Sequence, residues 1–434
     1  MKKKNASAGI NSLLIESRGV SQFLEFNFFL QMNKVSFTKA NVFFIFLIAL
    51  FLAFFSCGNG TPKEAPKAIE VPIGEDSVVK IRKEIHADEK AAKLKVVFAN
   101  RVKQAKFNGC VLVAQRGQVI FSNAYGYSNL KKKTPLKINS PFQLASISKT
   151  LTSAAILLLK DQGKLKLTDS IQQYFPNFPF HNITIKLLLS HRSGLNNYVY
   201  FGEPYCDSKN CYNGKIFDNS AMLQLMIDKK PAVYAAPNKK FEYCNTNYAL
   251  LSLIVEKVSG MKFAEFMKKN IFVPLGMNDT WVHDPKTDRE HPEMTIGHTA
   301  GGKAEEEKFA DDVIGDKGVY STVGDMLKWD QALYSEKLLK KETIVEAFTG
   351  YSNEHKGKRN YGYGWRMIDD GKNPKIIYHN GWWHGYATLF FRRPTDQTTV
   401  IILSNKFGGS TYHIEDVLAV INDDLHAVDM DGAE

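Results

Sequence analysis

Ser146-Ile147-Ser148-Lys149-Thr150-Leu151-Thr152-Ser153-Ala154-Ala155-Ile156-Leu157-Leu158-Leu159-Lys160-Asp161-Gln162-Gly163 is the stretch that decides the reading of this 434-residue chain. Leu151, Ala154, Ala155, Leu158 and Leu159 recur at helical spacing, which predicts an amphipathic helix over Leu151 to Gln162 that Gly163 can cap. Ser146 and Lys149 stand at its front. One helical turn separates them, so both side chains share a face. A serine hydroxyl is a poor nucleophile until a neighbouring base takes its proton, and an amine held beside it can serve nucleophilic catalysis.

Before this helix, Cys110 to Gln115 and Gln118 to Asn123 read as strands, and Arg116-Gly117 between them suits a tight hairpin. After it, the signals from Asp169 to about Asp284 are mostly helical. Thr184 can cap Ile185 to Ser190, with Gly194 as the stop; Asn247 to Val258 precedes Gly260; Lys262 to Asn270 follows. Thr322 to Tyr334 is a further helix. Strands return at Lys375 to His379, Tyr386 to Arg392 and Thr398 to Ser404, with Pro394-Thr395-Asp396-Gln397 as a turn, and Ile414 to Leu425 reads as a last helix. Strands at both ends with helices between predict an α+β fold. One antiparallel sheet, from about 88–140 and 290–425, is flanked by helices, with an all-helical region inserted at about 141–289. Residues 426–434 form a tail.

With 44% hydrophobic and 23% charged residues the chain is globular and long enough for a sizeable core. Net charge is +11, of which +4 lies in residues 1–56 (five Lys, one Arg, two Glu). The remaining lysines are scattered, without a basic stripe interleaved with aromatics, which argues against a nucleic-acid partner. Val42 to Phe55 is an apolar run preceded by Lys34 and Lys39 and ending at Ser56-Cys57. It matches the ~7–15 residues of a secretory segment better than the ~20 of a membrane span. Cys57 resembles the acceptor of a bacterial lipoprotein signal, although Phe54 stands three residues before it where Leu is usual. The alternative is an uncleaved N-terminal anchor; either reading puts the body outside the cytoplasm, in the cell envelope. A start at Met32 would give a compact leader and make 1–31 a start-site artefact. Residues 57–87 are polar, with three Pro, and read as a tether to a domain over 88–425. Cys206 and Cys211 bracket a short polar segment and could close a loop in an oxidising compartment; a metal reading lacks a nearby His or Cys pair.

Short motifs are cheap. Ser36 and Lys39 repeat the Ser-x-x-Lys spacing; Tyr127 to Asn129 and Tyr351 to Asn353 repeat Tyr-x-Asn; His355-Lys356-Gly357 and Lys406-Phe407-Gly408 compete with His379-Asn380-Gly381. Context separates them. Only Ser146 opens a strong amphipathic helix. Tyr243 sits in a turn just before one. Only His379-Asn380-Gly381 ends an apolar run followed at once by another strand. The bland readings are a half-buried aromatic for Tyr243, a structural residue for His191, and either core or cleft wall for Trp382 and Trp383.

Taken in order, these segments resemble the serine β-lactamase and penicillin-binding-protein family, in its class C and esterase-like branch. The matching segments are Ser146-x-x-Lys149; Leu187 to Leu195, reading Leu-Leu-Leu-Ser-His-Arg-Ser-Gly-Leu; Phe241-Glu242-Tyr243-Cys244-Asn245 with Tyr248; Val319-Tyr320-Ser321-Thr322; and His379-Asn380-Gly381. The resemblance covers about His86 to Leu425. It implies the β-lactamase/transpeptidase fold and a catalytic trio: Ser146 as nucleophile, with Lys149 and Tyr243 as a coupled proton-handling pair. It also implies an oxyanion hole from the backbone N–H groups of Ser146 and Trp382, an Asn245 side chain bonded to the substrate amide and to Lys149, and substrate contacts at His379 and Gly381.

Three positions depart from the family pattern. His379 stands where a Lys usually meets a substrate carboxylate, and protonation near pH 6.5 would be needed to restore that charge. Cys244 replaces Ser in the Tyr-x-Asn turn. Asn238 replaces Gly after Pro237, a mild change because Asn tolerates the left-handed backbone. The expectation is a membrane-tethered serine hydrolase acting on an ester, a D-amino-acid amide or peptide, or a β-lactam, with peptidoglycan-derived material among the substrates. The rival is a lipoprotein of the same fold that binds cell-wall fragments without turnover. No cofactor is expected, since no metal or nucleotide signature stands out.

Overall fold

The structure is a computed structural model that describes residues 75–422 apart from 105–106, 207–210, 212–215, 286–287, 307 and 355–356. The leader, Cys57 and the tail at 426–434 lie outside the described residues. Among the described residues, helices α1 (Glu75–Glu84) and α2 (Ala87–Lys103) come first. They correct the expected tether: Ile81, Ile85 and Ala87 are buried in the core, so the folded body reaches back at least to α1.

Strands β1 (Gly109–Gln115) and β2 (Gln118–Tyr125) form the expected hairpin, with Arg116 and Gly117 at φ +51° and +73°. Short strands β3 (Tyr127–Asn129) and β4 (Thr134–Pro135) make a ribbon. Strands β5 (Phe142–Gln143), β6 (Trp281–Val282) and β7 (Val319–Ser321) make a small sheet in the order β5-β7-β6. Two of those strands lie inside the segment expected to be all-helical. The main sheet is completed by β8 (Arg359–Tyr361), β9 (Arg366–Ile368), β10 (Ile376–Trp383), β11 (Tyr386–Arg393) and β12 (Thr398–Ser404). Its order is β2-β1-β12-β11-β10-β9-β8, antiparallel throughout, so the predicted α+β architecture holds. β1 pairs with β12 from Gly109 opposite Ser404 to Gln115 opposite Thr398. A methyl group on Gly109 would lie 2.2 Å from the Leu403 carbonyl oxygen, so glycine permits that approach.

Both faces of the sheet are covered. Alternate side chains point to opposite faces of a strand. Cys110, Leu112, Ile401, Leu403, Phe390 and Ile377 pack on the face that carries α3 (Ser148–Asp161). Val111, Val113, Val400, Ile402, Phe391 and Tyr378 pack with α1, α2 and the last helix, α8 (Glu415–Asn422). The helical region contributes α4 (Ile185–Leu189), capped by Thr184, α5 (Asn219–Lys229), capped by Asp218, and α6 (Asn245–Ser259), closed by left-handed Gly260. Thr322 caps α7 (Val323–Ala332). Cys206 and Cys211 form a disulfide. Among the described residues no helix is long and apolar enough to cross a membrane.

Candidate active site

Ser146 lies in a single 3₁₀ turn, Ala145–Ile147, that feeds directly into α3. The residue before it, Ala145, is fully buried at φ +49°, a conformation that non-glycine residues adopt only when their surroundings impose it. The imposing element is β10. A methyl group on Gly381 would sit 2.4 Å from the Leu144 carbonyl oxygen and 3.0 Å from Ala145 Cβ. Thr388 of β11 donates its hydroxyl to that same carbonyl at 2.8 Å. The centre of the sheet thus presses on the turn that presents Ser146.

Lys149, one turn on, has no solvent exposure. Its Nζ donates to Ser146 Oγ at 2.9 Å and to the Asp316 carbonyl oxygen at 2.8 Å. The Asp316 side chain is held in turn: Tyr198 donates its hydroxyl to Asp316 Oδ2 at 2.9 Å, and Lys317 Nζ donates to the Tyr198 oxygen at 2.9 Å. Tyr243 arrives from the turn before α6. Lys149 Nζ is 5.0 Å from the centre of its ring, and the Arg366 guanidinium is 5.0 Å from the same ring. The ring also lies 4.4 Å from the His191 ring and 6.3 Å from the His379 ring. The structure therefore gathers Ser146, Lys149 and Tyr243 in one place from two sequence regions.

Asn245 opens α6 in the expected position, but the anticipated bond to Lys149 is not made. Asn245 Oδ1 is buried with no hydrogen-bond partner among the described residues, and Lys149 uses the Asp316 carbonyl instead. His379 also differs from expectation. It is fully buried, with Nδ1 donating to the Asn380 carbonyl oxygen at 2.7 Å and Nε2 accepting from Tyr361 Oη at 3.1 Å. Burial, with Arg366 and Lys149 nearby, holds its pKa well below the usual imidazole range. His379 is thus a neutral support beneath the site, and the protonation that would make it a substitute for Lys does not occur near neutral pH.

The site does hold another cation that the sequence reading missed: Arg366, on β9, paired opposite Tyr378 of β10. Its signal was a lone Arg inside the apolar run Trp365-Arg366-Met367-Ile368. Asp316 was likewise missed, because a carbonyl contact has no side-chain signature. The two tryptophans part company. Trp383 shares a sheet face with His379 and Gly381 and donates its Nε1–H to Asp311 at 2.8 Å. The Trp382 ring takes the opposite face, 44% exposed, with its centre 5.6 Å from that of Phe407. The Trp382 ring is thus turned away from the face on which Gly381 meets the turn at Ser146. Asn238 takes the left-handed conformation at φ +63°, as expected for a Gly replacement. Cys244 is buried and unpaired, and burial pushes its thiol up to about 11. Among the described residues no group of three or more His, Cys, Asp or Glu is placed to hold a metal ion.

A seven-stranded antiparallel sheet pressed against a Ser-x-x-Lys turn, faced by a tyrosine from a helical region, defines a serine hydrolase of the β-lactamase and penicillin-binding-protein class. The family model described as Beta-lactamase matches residues 94–422, and this chain belongs to that family. The chain is 34% identical over 336 residues to Penicillin-binding protein 4* of Bacillus subtilis (strain 168), covering 74% of this chain and 72% of that one. Among solved structures it is similar to the octameric penicillin-binding protein homologue from Pyrococcus abyssi, with a TM-score of 0.67, 25% identity and 76% of each chain covered. A penicillin-binding protein from Bacillus halodurans superposes with a TM-score of 0.65 and 26% identity, over 75% of this chain and 98% of that one.

Proposed function

We propose that this protein cleaves D-amino-acid peptides or amides carrying a carboxylate near the scissile bond, through an acyl-enzyme on Ser146. The observation that carries the acyl-enzyme is the 2.9 Å hydrogen bond from Lys149 Nζ to Ser146 Oγ, with the Tyr243 ring 5.0 Å from the same amine. Ser146 Oγ attacks the substrate carbonyl while its proton passes to the Lys149–Tyr243 pair, which acts as one coupled unit. The N–H groups of Ser146 and Trp382 receive the developing oxyanion; such donors are typically worth ~2.7–4 kcal/mol each. The pair then returns the proton to the leaving amine, and water releases the acyl group. Asn245 Oδ1, buried and unpaired, is suited to accept the substrate amide N–H. The preference for a carboxylate is supported by Arg366, a buried cation beside Tyr243, since His379 is held neutral.

The test is a panel of an acyl-D-Ala-D-Ala peptide, its C-terminal amide, a neutral ester and a penicillin, with Ser146→Ala as the blank. Wild-type turnover of the free-acid peptide and covalent labelling by a fluorophosphonate are expected, and both vanish in the variant. Equal labelling of both proteins removes the nucleophile. Saturable muropeptide binding without any turnover would favour the non-catalytic binder.

The proposal extends to location. The apolar run ending at Cys57 and the Cys206–Cys211 disulfide support an envelope lipoprotein held by a lipid on Cys57. Cys57→Ala should move the protein from the membrane pellet to the soluble fraction. Unchanged pelleting would refute the anchor.

A further inference from the structure

We propose that His191 is a positioning residue for Tyr243: a neutral imidazole that clamps the backbone on both sides of the phenol. The proposal rests on Tyr243 taking part in proton transfer, as set out above. The Glu242 N–H donates to the His191 carbonyl oxygen at 2.8 Å, and the Cys244 N–H donates to His191 Nδ1 at 3.2 Å. The backbone N–H groups one residue before and one residue after Tyr243 therefore both end on His191, while the rings of His191 and Tyr243 lie 4.4 Å apart.

The protonation state of His191 follows from its partners. Ser193 Oγ donates to Asn247 Oδ1 at 2.6 Å, which leaves the Asn247 amide N–H to donate to His191 Nδ1 at 3.1 Å. Two donors converge on Nδ1, so Nδ1 is an acceptor and the proton sits on Nε2. That Nε2 is buried with no partner among the described residues. An unpaired buried donor is ordinarily destabilising, a cost that Phe or Leu would avoid. The site keeps imidazole because it needs an acceptor and a flat ring together. Burial, aided by Lys149, His379 and Arg366, holds the ring neutral. The residue is fully buried and sits at φ +54°, where the chain reverses after α4. Its neighbours Arg192 and Gly194 extend the same junction, with their carbonyl oxygens accepting from Asn238 N–H and Tyr234 N–H, each at 2.8 Å. His191 is the point where this junction meets the chemistry.

The experiment compares His191→Phe, which keeps a ring without an acceptor, with His191→Asn, which keeps an acceptor without a ring. The readout is the pH profile of the maximal fluorophosphonate labelling rate at Ser146, with the probe's apparent affinity measured separately. His191→Phe should lower the maximal rate by about 10- to 100-fold, change affinity less than twofold and move the Tyr243→Phe-sensitive limb of the profile. His191→Asn should recover at least a third of that loss on a logarithmic scale. His191→Phe made in a Tyr243→Phe background should add less than about threefold, because the clamped group is already gone. Full additivity of the two variants overturns the proposal. If His191→Phe does not fold, the same cycle run with His191→Asn decides by the same criterion. A Tyr243→Phe protein as fast as wild type would refute the tyrosine's role itself, and with it any need for a clamp.

Discussion

Lys149 touches Ser146, and Lys149 and Arg366 each stand 5.0 Å from the Tyr243 ring. Lys149 is steered by the Asp316 carbonyl, and the Asp316 carboxylate is held by Tyr198, which accepts from Lys317. Arg366 makes a separable prediction. Charge-assisted hydrogen bonds contribute about 1.5–3 kcal/mol, so Arg366→Met should raise KM for a free-acid D-Ala-D-Ala peptide by about 10- to 100-fold. The neutral ester should change little. An equal loss on both substrates would show that Arg366 serves to pack Tyr243 and not to bind an anion. Ser146, Lys149 and Tyr243 were legible in the sequence because each sits beside a strong helix signal. Arg366 and Asp316 were not, since one lies on a three-residue strand and the other contributes a main-chain atom. His379 was legible as a position but not as a buried one; burial, with Arg366 and Lys149 nearby, holds it neutral, and burial is a property of the assembled sheet.

At the scale of elements, the turn at Ala145–Ile147 and the strand β10 form one device. Gly381 is its contact point, and Gly381→Ala cannot be absorbed locally: the new methyl would meet the Leu144 carbonyl oxygen at 2.4 Å and Thr388 Oγ1 at 2.3 Å. A shift of about 1 Å in catalytic geometry can cost 10²-fold. Gly381→Ala should therefore lower the fluorophosphonate labelling rate by about 100-fold and reduce the thermal midpoint by several degrees. Wild-type labelling kinetics would mean that β10 does not hold the turn. Elements with their own punctuation were legible: the Arg116-Gly117 hairpin, Thr184 as a cap, Gly260 as a stop. α1 was not, because Glu75-Asp76-Ser77-Val78-Val79-Lys80-Ile81-Arg82-Lys83-Glu84 spreads charge around the helix and buries little besides Ile81. β8 and β9 were not, because three residues are too few to show a period of two.

Over the whole molecule, charged side chains also tie neighbouring loops together. His283 contacts Asp288 at 2.5 Å and Asp312 at 3.1 Å. Burial opposes its charge, but the bonds to Asp288 and Asp312 outweigh burial and raise its pKa from 6.5 to about 9. A raised folded-state pKa means stabilisation that is complete below pH 6.5 and lost as pH climbs through about 9. The shift corresponds to a contribution on the order of 3 kcal/mol. Urea titrations of wild type and His283→Gln should differ most near pH 6 and converge by pH 10. A pH-independent gap between them would contradict the charge bridge.

The sheet order carries a consequence for how the chain is made. β1 and its inner neighbour β12 pair residue 109 with residue 404, across almost the whole described body. At ~5–20 residues per second, a ribosome needs roughly 15 to 60 s to deliver the second strand after the first. Throughout that wait the hairpin of β1 and β2 exposes a row of unbonded amides and an apolar face, the kind of edge that recruits other strands. The nascent chain should therefore depend on a holding chaperone until its last strand emerges.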